Sequence, residues 1–247
     1  MRLIIDIGNT LAKVALFEDS DPLVVTYLPQ LTVQSLELFL AESGLTRPDE
    51  AILSSVRQAD EVFINYLKSN FRLLLLSSET PLPIKNLYSS QETLGYDRLA
   101  AAVAASSLFP SRNVLIINTG TAITYDLVTS NNEYLGGAIS PGLTMRLMAL
   151  HNFTQKLPLV VLKEESPLVG KTTDECILSG VLNASRAEID GMIGKFNNHY
   201  EQLAVILSGG DIKYFDKSLK NSIFAIPNIV ISGLNQLLAF NFGKKIN

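Results

Sequence analysis

Two short stretches of this 247-residue chain resemble each other about half a chain apart. Residues 3–10 read LIIDIGNT and residues 115–122 read LIINTGTA, so both run from three apolar residues through Asp or Asn to a glycine and a nearby threonine. Each opens a strand–turn–strand pattern, and an internal repeat constrains a fold more strongly than any single element. We therefore predict a duplicated α/β architecture with two similar domains facing each other across a cleft. The alternative is a chance likeness between two apolar hairpins, because a turn glycine between such runs is common.

The rest of the sequence alternates between helical and strand patterns. Apolar residues at helical spacing predict helices at 33–43, 60–71, 97–109, 172–200 and 228–242. Short apolar runs predict strands at 50–56, 72–77 and 203–211. In residues 135–153, a glycine pair and a Pro-Gly step lead into a further helix. A boundary near 110–112 gives an N-terminal domain of residues 1–111 and a C-terminal domain of residues 112–247.

Composition and charge exclude several classes of protein. The chain is 47% hydrophobic, enough for a substantial core, and its net charge of −4 gives no general attraction to nucleic acid or anionic membranes. Cys176 is the single cysteine, so no disulfide forms within the chain. The N-terminus reaches Asp6 too early for a signal-peptide core, and the apolar runs are too short to span a bilayer. We expect a soluble cytoplasmic protein with no nucleic-acid or membrane partner.

The first glycine turn, Asp6-Ile7-Gly8-Asn9-Thr10, has the composition of a phosphate-binding loop. Gly and Asn tolerate left-handed backbone conformations, which lets backbone N–H groups point into one concavity. The Thr10 hydroxyl and Lys13 would add contacts, and Asp6 could hold Mg²⁺ through water. The repeat at 118–122 would supply a second such turn on the other side of a nucleotide triphosphate. The alternative is an ordinary hairpin turn in which Asp6 bonds its own backbone.

The motif Gly95-Tyr96-Asp97-Arg98 follows a long connection, residues 80–96, of the kind that is often functional. Asp97 could be a general base that accepts the proton of a hydroxyl attacking a γ-phosphate. Arg98 beside it could anchor an anionic substrate. The competing interpretation, favoured by spacing alone, is that Asp97 is a plain helix N-cap.

Two further motifs have ordinary structural interpretations beside functional ones. Thr172 and Glu175 have the spacing of a capping box at the start of the long helix, which leaves Thr173 free to reach a ligand. Gly209 and Gly210 follow a predicted strand. They could let the backbone approach an adenine or ribose, or they could form a simple turn.

Six motifs in order, DIGNT, GYDR, NTGTA, GGAISPG, GKTTDECILSG and LSGGD, resemble those of type III pantothenate kinases over nearly the whole chain. The resemblance implies the acetate kinase/sugar kinase/heat-shock-70/actin fold, which agrees with the duplication. It implies ATP-dependent phosphorylation of pantothenate to 4′-phosphopantothenate, the first step of coenzyme A synthesis. It also implies a homodimer that holds pantothenate near the subunit interface and depends on Mg²⁺ and a monovalent cation.

The resemblance also implies roles for individual residues. The ATP phosphate loop would comprise Asp6, Ile7, Gly8, Asn9, Thr10, Leu11, Ala12 and Lys13, with Thr121 as a further ATP contact. The pantothenate contacts would be Tyr88, Gly95, Tyr96, Asp97, Arg98 and Thr173. Asp97 would also accept the proton of the attacking hydroxyl.

At one position this chain departs from the family pattern. The family usually has Asp where this chain has Asn118, and that Asp binds K⁺ or NH₄⁺. An amide still offers a carbonyl oxygen but carries no negative charge. We therefore expect reduced or altered activation by K⁺.

Two other functions remain open at the level of sequence. One is a kinase of the same fold that acts on another small hydroxyl substrate, because fold does not fix substrate. The other is a non-catalytic accessory regulator of the same family. The presence of both Asp6 and Asp97 argues against the regulator.

Overall fold

The computed structural model describes residues 1–55 and 60–243, which form two compact α/β units. Unit 1 comprises Met1–Ser107 and the chain from Ile229 onward, whereas unit 2 comprises Leu108–Asn228. The predicted boundary between residues 111 and 112 lies near the end of the first segment. A single cut does not separate the units, however, because the last helix belongs to unit 1 and not to the C-terminal half.

Unit 1 is built on a five-stranded sheet with the order β3–β2–β1–β4–β5. The strands are β1 (Arg2–Ile7), β2 (Ala12–Glu18), β3 (Asp21–Leu28), β4 (Glu50–Ser55) and β5 (Arg72–Leu75). The first three form an antiparallel meander, while β4 and β5 run parallel to β1. β1 lies at the centre of the sheet, which explains why its sequence is a continuous apolar run rather than an alternating one.

Helices make the parallel connections of unit 1. They are α1 (Val33–Glu42) between β3 and β4, and α2 (Glu61–Asn70) between β4 and β5. The short strand β6 (Lys85–Asn86) and the helix α3 (Tyr96–Leu108) follow β5. Asp60 begins α2 as its N-cap, because its carboxylate accepts a hydrogen bond from the Val62 N–H at 3.0 Å. Leu36 of α1 and Leu67 of α2 are fully buried in one core with Leu3 and Ile5 of β1.

Unit 2 repeats the same strand arrangement. Its strands are β7 (Val114–Thr119), β8 (Ala122–Val128), β9 (Glu133–Pro141), β10 (Ala204–Ser208) and β11 (Phe224–Ala225). They lie in the order β9–β8–β7–β10–β11, and β7 is again antiparallel to β8 and parallel to β10. β7 and β8 thus correspond to β1 and β2, which confirms the duplication predicted from the two LII motifs.

Two helices form the core of unit 2 with its sheet. α4 (Leu143–Asn152) follows β9, and α5 (Thr173–Asn197) precedes β10. Leu182 and Ile189 of α5 are fully buried against Leu115 and Ile117 of β7. Cys176, near the start of this helix, is exposed.

The last helix, α6 (Ile229–Asn241), returns to the sheet of unit 1. A Cβ atom on Gly233 would collide with the backbone carbonyl of Ala100, so a glycine is required for α6 to lie this close to α3. The Arg2 guanidinium donates to Asn235 Oδ1 at 3.0 Å, and Asn235 Nδ2 donates to the Asp19 carbonyl at 2.7 Å. These contacts hold the helix against β1 and the turn that follows β2.

Sequence periodicity missed the long strands β3 and β9 and the two-residue strands β6 and β11. β3 lies at a sheet edge and none of its residues is fully buried. β9 contains the glycine pair that was expected to lead into a helix, and Gly137 lies directly against the Tyr125 carbonyl across the strands. Val56, the last residue of the predicted strand 50–56, lies outside the described residues, as do residues 244–247 of the predicted C-terminal domain. No helix in the described ranges is long and apolar enough to cross a membrane.

Candidate active site

The first glycine turn joins the central strands β1 and β2 of unit 1. The Gly8 N–H donates to the Leu11 carbonyl at 3.1 Å, which closes the turn. Asn9, Thr10 and Leu11 are exposed, while Asp6 and Lys13 are paired across the two strands. Asn9, Thr10 and Leu11 therefore form an accessible loop flanked by the Asp6 carboxylate and the Lys13 amine, whereas Ala12, also predicted to contact ATP, is buried in β2.

The Asp6 carboxylate at this loop is buried and has a specific partner. Asp6 pairs in register with Ser54 of the parallel strand β4, and Ser54 Oγ donates to Asp6 Oδ1 at 3.1 Å. Asp6 therefore does not follow the alternative interpretation, in which it would bond its own backbone in a hairpin turn. Burial raises the pKa of Asp6 to about 6; the nearby charge of Asp97 also raises it, and Lys13 opposes the shift.

Asp6 and Asp97 are compatible with a Mg²⁺ site. A buried carboxylate whose ionised form is disfavoured by desolvation would be stabilised by a cation, and Asp97 is close enough to affect its titration. Mg²⁺ in phosphate-transferring sites is typically held by one or two carboxylates, water and substrate phosphates. Over residues 1–55 and 60–243, no group of three or more His, Cys, Asp or Glu side chains could hold a metal by itself.

Asp97 lies in the first turn of α3 and is not the N-cap. The Leu99 N–H donates to the Gly95 carbonyl at 3.3 Å, so Gly95 accepts the first intrahelical bond. A Cβ on Gly95 would collide with Asp97 Oδ1, so the glycine provides the space that this carboxylate occupies. The interpretation of Asp97 as a plain cap was therefore wrong, and its carboxylate is available for other chemistry.

Arg98 and Tyr88 come together beside Asp97. Arg98 is buried, and its guanidinium carbon lies 5.6 Å from the centroid of the Tyr88 ring, a cation–π distance. Asn86 holds the chain at Tyr88, because its side-chain oxygen accepts the Tyr88 N–H at 3.0 Å. The structure thus brings the substrate motif together with one tyrosine of the long connection.

The second glycine turn lies between β7 and β8 in unit 2. The Gly120 N–H donates to the Ala122 carbonyl at 3.1 Å. The Gly142 N–H donates to the Thr121 carbonyl at 3.1 Å, and a Cβ on Gly142 would collide with the carbonyl oxygens of Gly120 and Thr121. The corner between β9 and α4 therefore packs directly against the turn that contains Thr121, the predicted ATP contact.

Arg146 of α4 fixes that corner in place. Its Nε donates to the Pro141 carbonyl at 2.8 Å, and its Nη2 donates to Ser140 Oγ at 2.7 Å and to the Glu188 carboxylate. The hydrogen bond and charge of Arg146 hold the pKa of Glu188 below its usual range, although burial opposes this shift. Charge-assisted bonds of this kind are stronger than neutral ones, so the corner is held rigidly.

Asn118, the predicted monovalent-cation ligand, faces Thr124 across β7 and β8. Directly opposed residues in an antiparallel pair share one face of the sheet, with Cβ atoms about 4.5–5.5 Å apart. Thr124 Oγ1 is buried and has no hydrogen-bond partner among the described residues. An unsatisfied hydroxyl oxygen beside an amide side chain is compatible with coordination of K⁺ or NH₄⁺ by neutral oxygens.

Thr173 is the first residue of α5 and is exposed. Thr172 is the N-cap, with Oγ1 accepting the Glu175 N–H at 3.2 Å, as the capping-box spacing predicted. The reciprocal half of the box is absent, because the Glu175 carboxylate accepts the Lys171 N–H at 2.7 Å instead. Thr173 belongs to unit 2 with Asn118 and Thr121. The other predicted site residues belong to unit 1.

Comparison with known proteins assigns the family. The chain matches the family model described as type III pantothenate kinase over residues 2–195. The chain belongs to this family. A type III pantothenate kinase of Bacteroides fragilis is 45% identical over 99% of this chain and 100% of that protein. A type III pantothenate kinase of Christiangramia forsetii is 43% identical over 98% of this chain and 99% of that protein.

Solved structures confirm the fold expected of a type III pantothenate kinase. A Campylobacter jejuni protein described as a Baf family transcriptional activator aligns with a TM-score of 0.63 at 19% identity, covering 98% of this chain and 99% of that one. A Sinorhizobium meliloti protein described as a 2-dehydro-3-deoxygalactonokinase aligns with a TM-score of 0.53 at 12% identity, covering 97% and 99%. At these low sequence identities the similarity is evidence for the fold alone, and it agrees with the duplicated actin-like ATPase fold.

Sequence reasoning missed several residues that position this family's motifs. Ser54 ends an apolar strand, and its pairing with Asp6 depends on the register of two strands far apart in the chain. Thr124 and Arg146 have no local signature, because their importance comes from packing. Gly142 lies in the GGAISPG motif, which was recognised in the sequence, but the motif did not predict that Gly142 contacts the second glycine turn.

Proposed function

We propose that this chain phosphorylates pantothenate to 4′-phosphopantothenate with ATP as donor, the first step of coenzyme A biosynthesis. The observation that carries the proposal is the match to the type III pantothenate kinase family over residues 2–195, with relatives of that name aligned along almost the whole chain. The enzyme is accordingly a phosphotransferase with an alcohol group as acceptor.

Asp97 is the catalytic base of the proposed reaction. The primary hydroxyl oxygen of pantothenate attacks the γ-phosphorus of ATP, the bond to the β-phosphate oxygen breaks, and ADP leaves. The proton of the hydroxyl passes to the Asp97 carboxylate, for which Gly95 leaves space. Positioning and neutralisation of charge supply most of the rate enhancement in such transfers.

The first glycine turn binds the phosphates of ATP. The exposed backbone and side chains of the first turn and the amine of Lys13 support this role. The residues that we assign to ATP are Asp6, Ile7, Gly8, Asn9, Thr10, Leu11, Ala12, Lys13 and Thr121. When bound, Mg²⁺ would be held near Asp6 through water and would neutralise charge on the phosphate oxygens.

Pantothenate binds at the motif that opens α3. Arg98 holds the carboxylate of this anionic substrate, and Tyr88 packs against the guanidinium at 5.6 Å. Gly95 and Tyr96 complete this contact surface in unit 1. Thr173 contributes a hydroxyl from the exposed start of α5.

A monovalent cation binds at Asn118 with the help of Thr124. The absence of the usual carboxylate removes one negative charge from the site, so K⁺ or NH₄⁺ is held more weakly and activation is reduced or altered. The Thr124 hydroxyl, which has no hydrogen-bond partner within residues 1–55 and 60–243, supports a cation at this face of the sheet.

The protein forms a homodimer, and exposed apolar side chains in unit 2 support this. Phe153 is 88% exposed, Leu168 82%, Val161 80% and Val169 75%, all within residues 153–169 that precede Thr173. Apolar surface of this kind commonly marks an interface. Sedimentation or light scattering would give twice the monomer mass for a dimer, and a monomer at micromolar concentration would contradict it. A cytoplasmic location without nucleic-acid or membrane partners remains a prediction.

The function is tested by measuring ADP release with pantothenate and with a panel of other small hydroxyl compounds. Pantothenate should be preferred by a large factor in kcat/KM, and Asp97→Asn should strongly reduce the rate of ADP release. Preference for another hydroxyl compound would favour a same-fold kinase of different specificity. A folded protein that releases no ADP with any acceptor would favour the accessory regulator.

A further inference from the structure

The loop after β10 in unit 2 contains a carboxylate that none of the roles assigned so far uses. β10 ends at Ser208 and is followed by Gly209, Gly210 and Asp211. β10 is parallel to β7, so the loops that leave their carboxyl ends lie side by side. The Asp211 N–H donates to the Thr119 carbonyl at 3.1 Å, immediately before the second glycine turn.

Gly209 fixes the path of this loop. Its φ of +102° lies in the left-handed region, and a Cβ there would collide with the backbone of Thr119. The backbone at Asp211 is therefore held at one place relative to the turn of Gly120 and Thr121.

The usual structural role of an aspartate at such a position does not explain Asp211. It precedes a short 3-10 turn, Ile212–Tyr214, but its side chain makes no capping hydrogen bond. Within the described ranges, the carboxylate has no hydrogen-bond partner. Lys213, the nearby cation, pairs with Glu164 at 3.4 Å. Burial raises the pKa of Asp211, with Lys213 opposing, which agrees with a carboxylate held partly away from water without a donor.

The surroundings leave room for a ligand beside this carboxylate. A Cβ on Gly210 would meet no atom within 4 Å, and the same holds for Gly120 in the neighbouring turn. Adjacent strands lie about 4.8 Å apart, so the two open positions belong to loops that are one strand spacing apart. A ligand bound at the turn of Gly120 can therefore extend over Gly210 toward Asp211.

The charge of Asp211 limits what that part of the ligand can be. A carboxylate repels phosphate, and no group of three metal-ligating side chains lies anywhere in the part of the chain that is described. A carboxylate instead binds hydrogen-bond donors such as vicinal hydroxyls, because its two oxygens can accept a hydrogen bond from each hydroxyl. The sugar of ATP is joined directly to its α-phosphate and offers two such hydroxyls.

We propose that Asp211 recognises the nucleotide sugar by accepting hydrogen bonds from the 2′- and 3′-hydroxyl groups of ATP. This inference rests on the proposed function, since it takes ATP as the ligand of the second glycine turn. Asp211 then selects ribonucleotides over deoxyribonucleotides and takes no part in the chemical step. An acidic residue that follows a strand serves the same purpose in another class of nucleotide-binding fold.

The test compares ATP with 2′-deoxyATP and 3′-deoxyATP as phosphate donors for pantothenate. The variants are Asp211→Ala and Asp211→Asn, with Asp216→Asn as a matched control in the same segment. We expect the wild-type protein to prefer ATP by about tenfold in kcat/KM, the ratio that one hydrogen bond to a charged group supplies. Asp211→Ala should lose that preference through a higher KM for ATP, Asp211→Asn should lose part of it, and the control should keep it.

Other results would overturn the inference. The first is equal kcat/KM for ATP and both deoxynucleotides in the wild-type protein. The second is an unchanged preference for ATP in Asp211→Ala. The third is an equal fall in kcat/KM with all three nucleotides in that variant. Calorimetric binding of ADP and 2′-deoxyADP measures the same discrimination without turnover. If the wild-type protein binds ADP more tightly than 2′-deoxyADP but phosphorylates no pantothenate, the proposed function fails while the sugar contact stands. Thermal unfolding of each variant verifies that the fold is intact.

Discussion

Ser54 Oγ donates a hydrogen bond to Asp6 Oδ1 at 3.1 Å, and both side chains are buried between the parallel strands β1 and β4. Asp6 lies one residue before the end of β1, next to the exposed loop that we assign to phosphate. The bond favours the ionised carboxylate, whereas burial favours the neutral acid. Ser54 therefore has a positioning role beside the loop, although it lies outside every motif of the sequence.

Ser54→Ala should shift the acidic limb of the pH–activity profile to higher pH. Loss of the hydrogen bond removes one of the two influences that lower the pKa of Asp6, so a higher pH is needed to ionise it. The measurement is kcat/KM for ATP between pH 5 and pH 8, with Ser69→Ala on the surface of α2 as control. An unshifted limb in an otherwise folded variant would remove Ser54 from this role.

Asp6→Asn should abolish activity and stabilise the ligand-free protein at neutral pH. The pKa of Asp6 is about 6 in the folded protein, whereas an unperturbed aspartate has a pKa of 3.8. Between these two pH values the unfolded chain binds fewer protons than the folded protein, so the free energy of unfolding falls as pH rises. Two pKa units correspond to a cost of about 3 kcal/mol above pH 6, which Asn does not incur.

Thermal unfolding at several pH values measures this effect of Asp6→Asn. The melting temperature should exceed that of the wild-type protein at pH 7.5, and the difference should shrink as pH falls from 6 toward 4. A variant that is less stable at pH 7.5 would contradict the assignment of Asp6 as a carboxylate held at an energetic cost for function.

Asp97→Asn should reduce kcat by about 10²- to 10⁴-fold, the usual contribution of a general base. The fold should be retained, because Gly95 and not Asp97 accepts the first intrahelical bond of α3. Steady-state kinetics and a melting curve of the same preparation measure both effects. Near-normal turnover would exclude Asp97 as the base.

Asn118→Asp should produce a steeper dependence on K⁺ than the wild-type protein has. The added carboxylate supplies the missing negative charge beside the Thr124 hydroxyl, which none of the described residues bonds. Activity is measured over a K⁺ titration with Na⁺ keeping ionic strength constant, and Thr124→Val serves as the partner variant. A wild-type protein that already requires K⁺ steeply would contradict the expected effect of Asn118.

Gly209→Ala and Gly210→Ala should have opposite consequences although they are adjacent. A Cβ at Gly209 collides with Thr119 and requires a left-handed φ, so the melting temperature should fall. A Cβ at Gly210 enters open space, so stability should hold while the KM for ATP rises. Circular dichroism melts and ATP titrations separate the two effects. A destabilised Gly210→Ala, or an unchanged KM in that variant, would contradict the nucleotide path over this loop.

The duplicated fold could be predicted because its signal is local and occurs twice. The LII motifs mark the central hairpin of each unit, and the five strands of each unit lie in the same order. The placement of α6 could not be predicted in this way. Helical periodicity shows that residues 228–242 bury a face, but it does not identify the sheet. The deciding contact, Arg2 with Asn235, joins residues 233 positions apart.

Residues of the candidate site were predicted from the sequence where they belong to a short motif. They were missed where only packing brings them to the site. Asp6, Asp97 and Arg98 lie within short motifs whose residue types suggest phosphate transfer. The choice between base and N-cap for Asp97 needed the backbone hydrogen bond to Gly95. Ser54 and Thr124 are common residue types, and only strand register brings them beside Asp6 and Asn118.

The most direct measurement is the mass of the product formed by the purified protein from pantothenate, ATP and Mg²⁺, in buffers containing either K⁺ or Na⁺. We expect 4′-phosphopantothenate in the K⁺ buffer, and also in the Na⁺ buffer if Asn118 relaxes the cation requirement. Absence of that product in both buffers, from protein shown to be folded, would contradict its assignment as a pantothenate kinase.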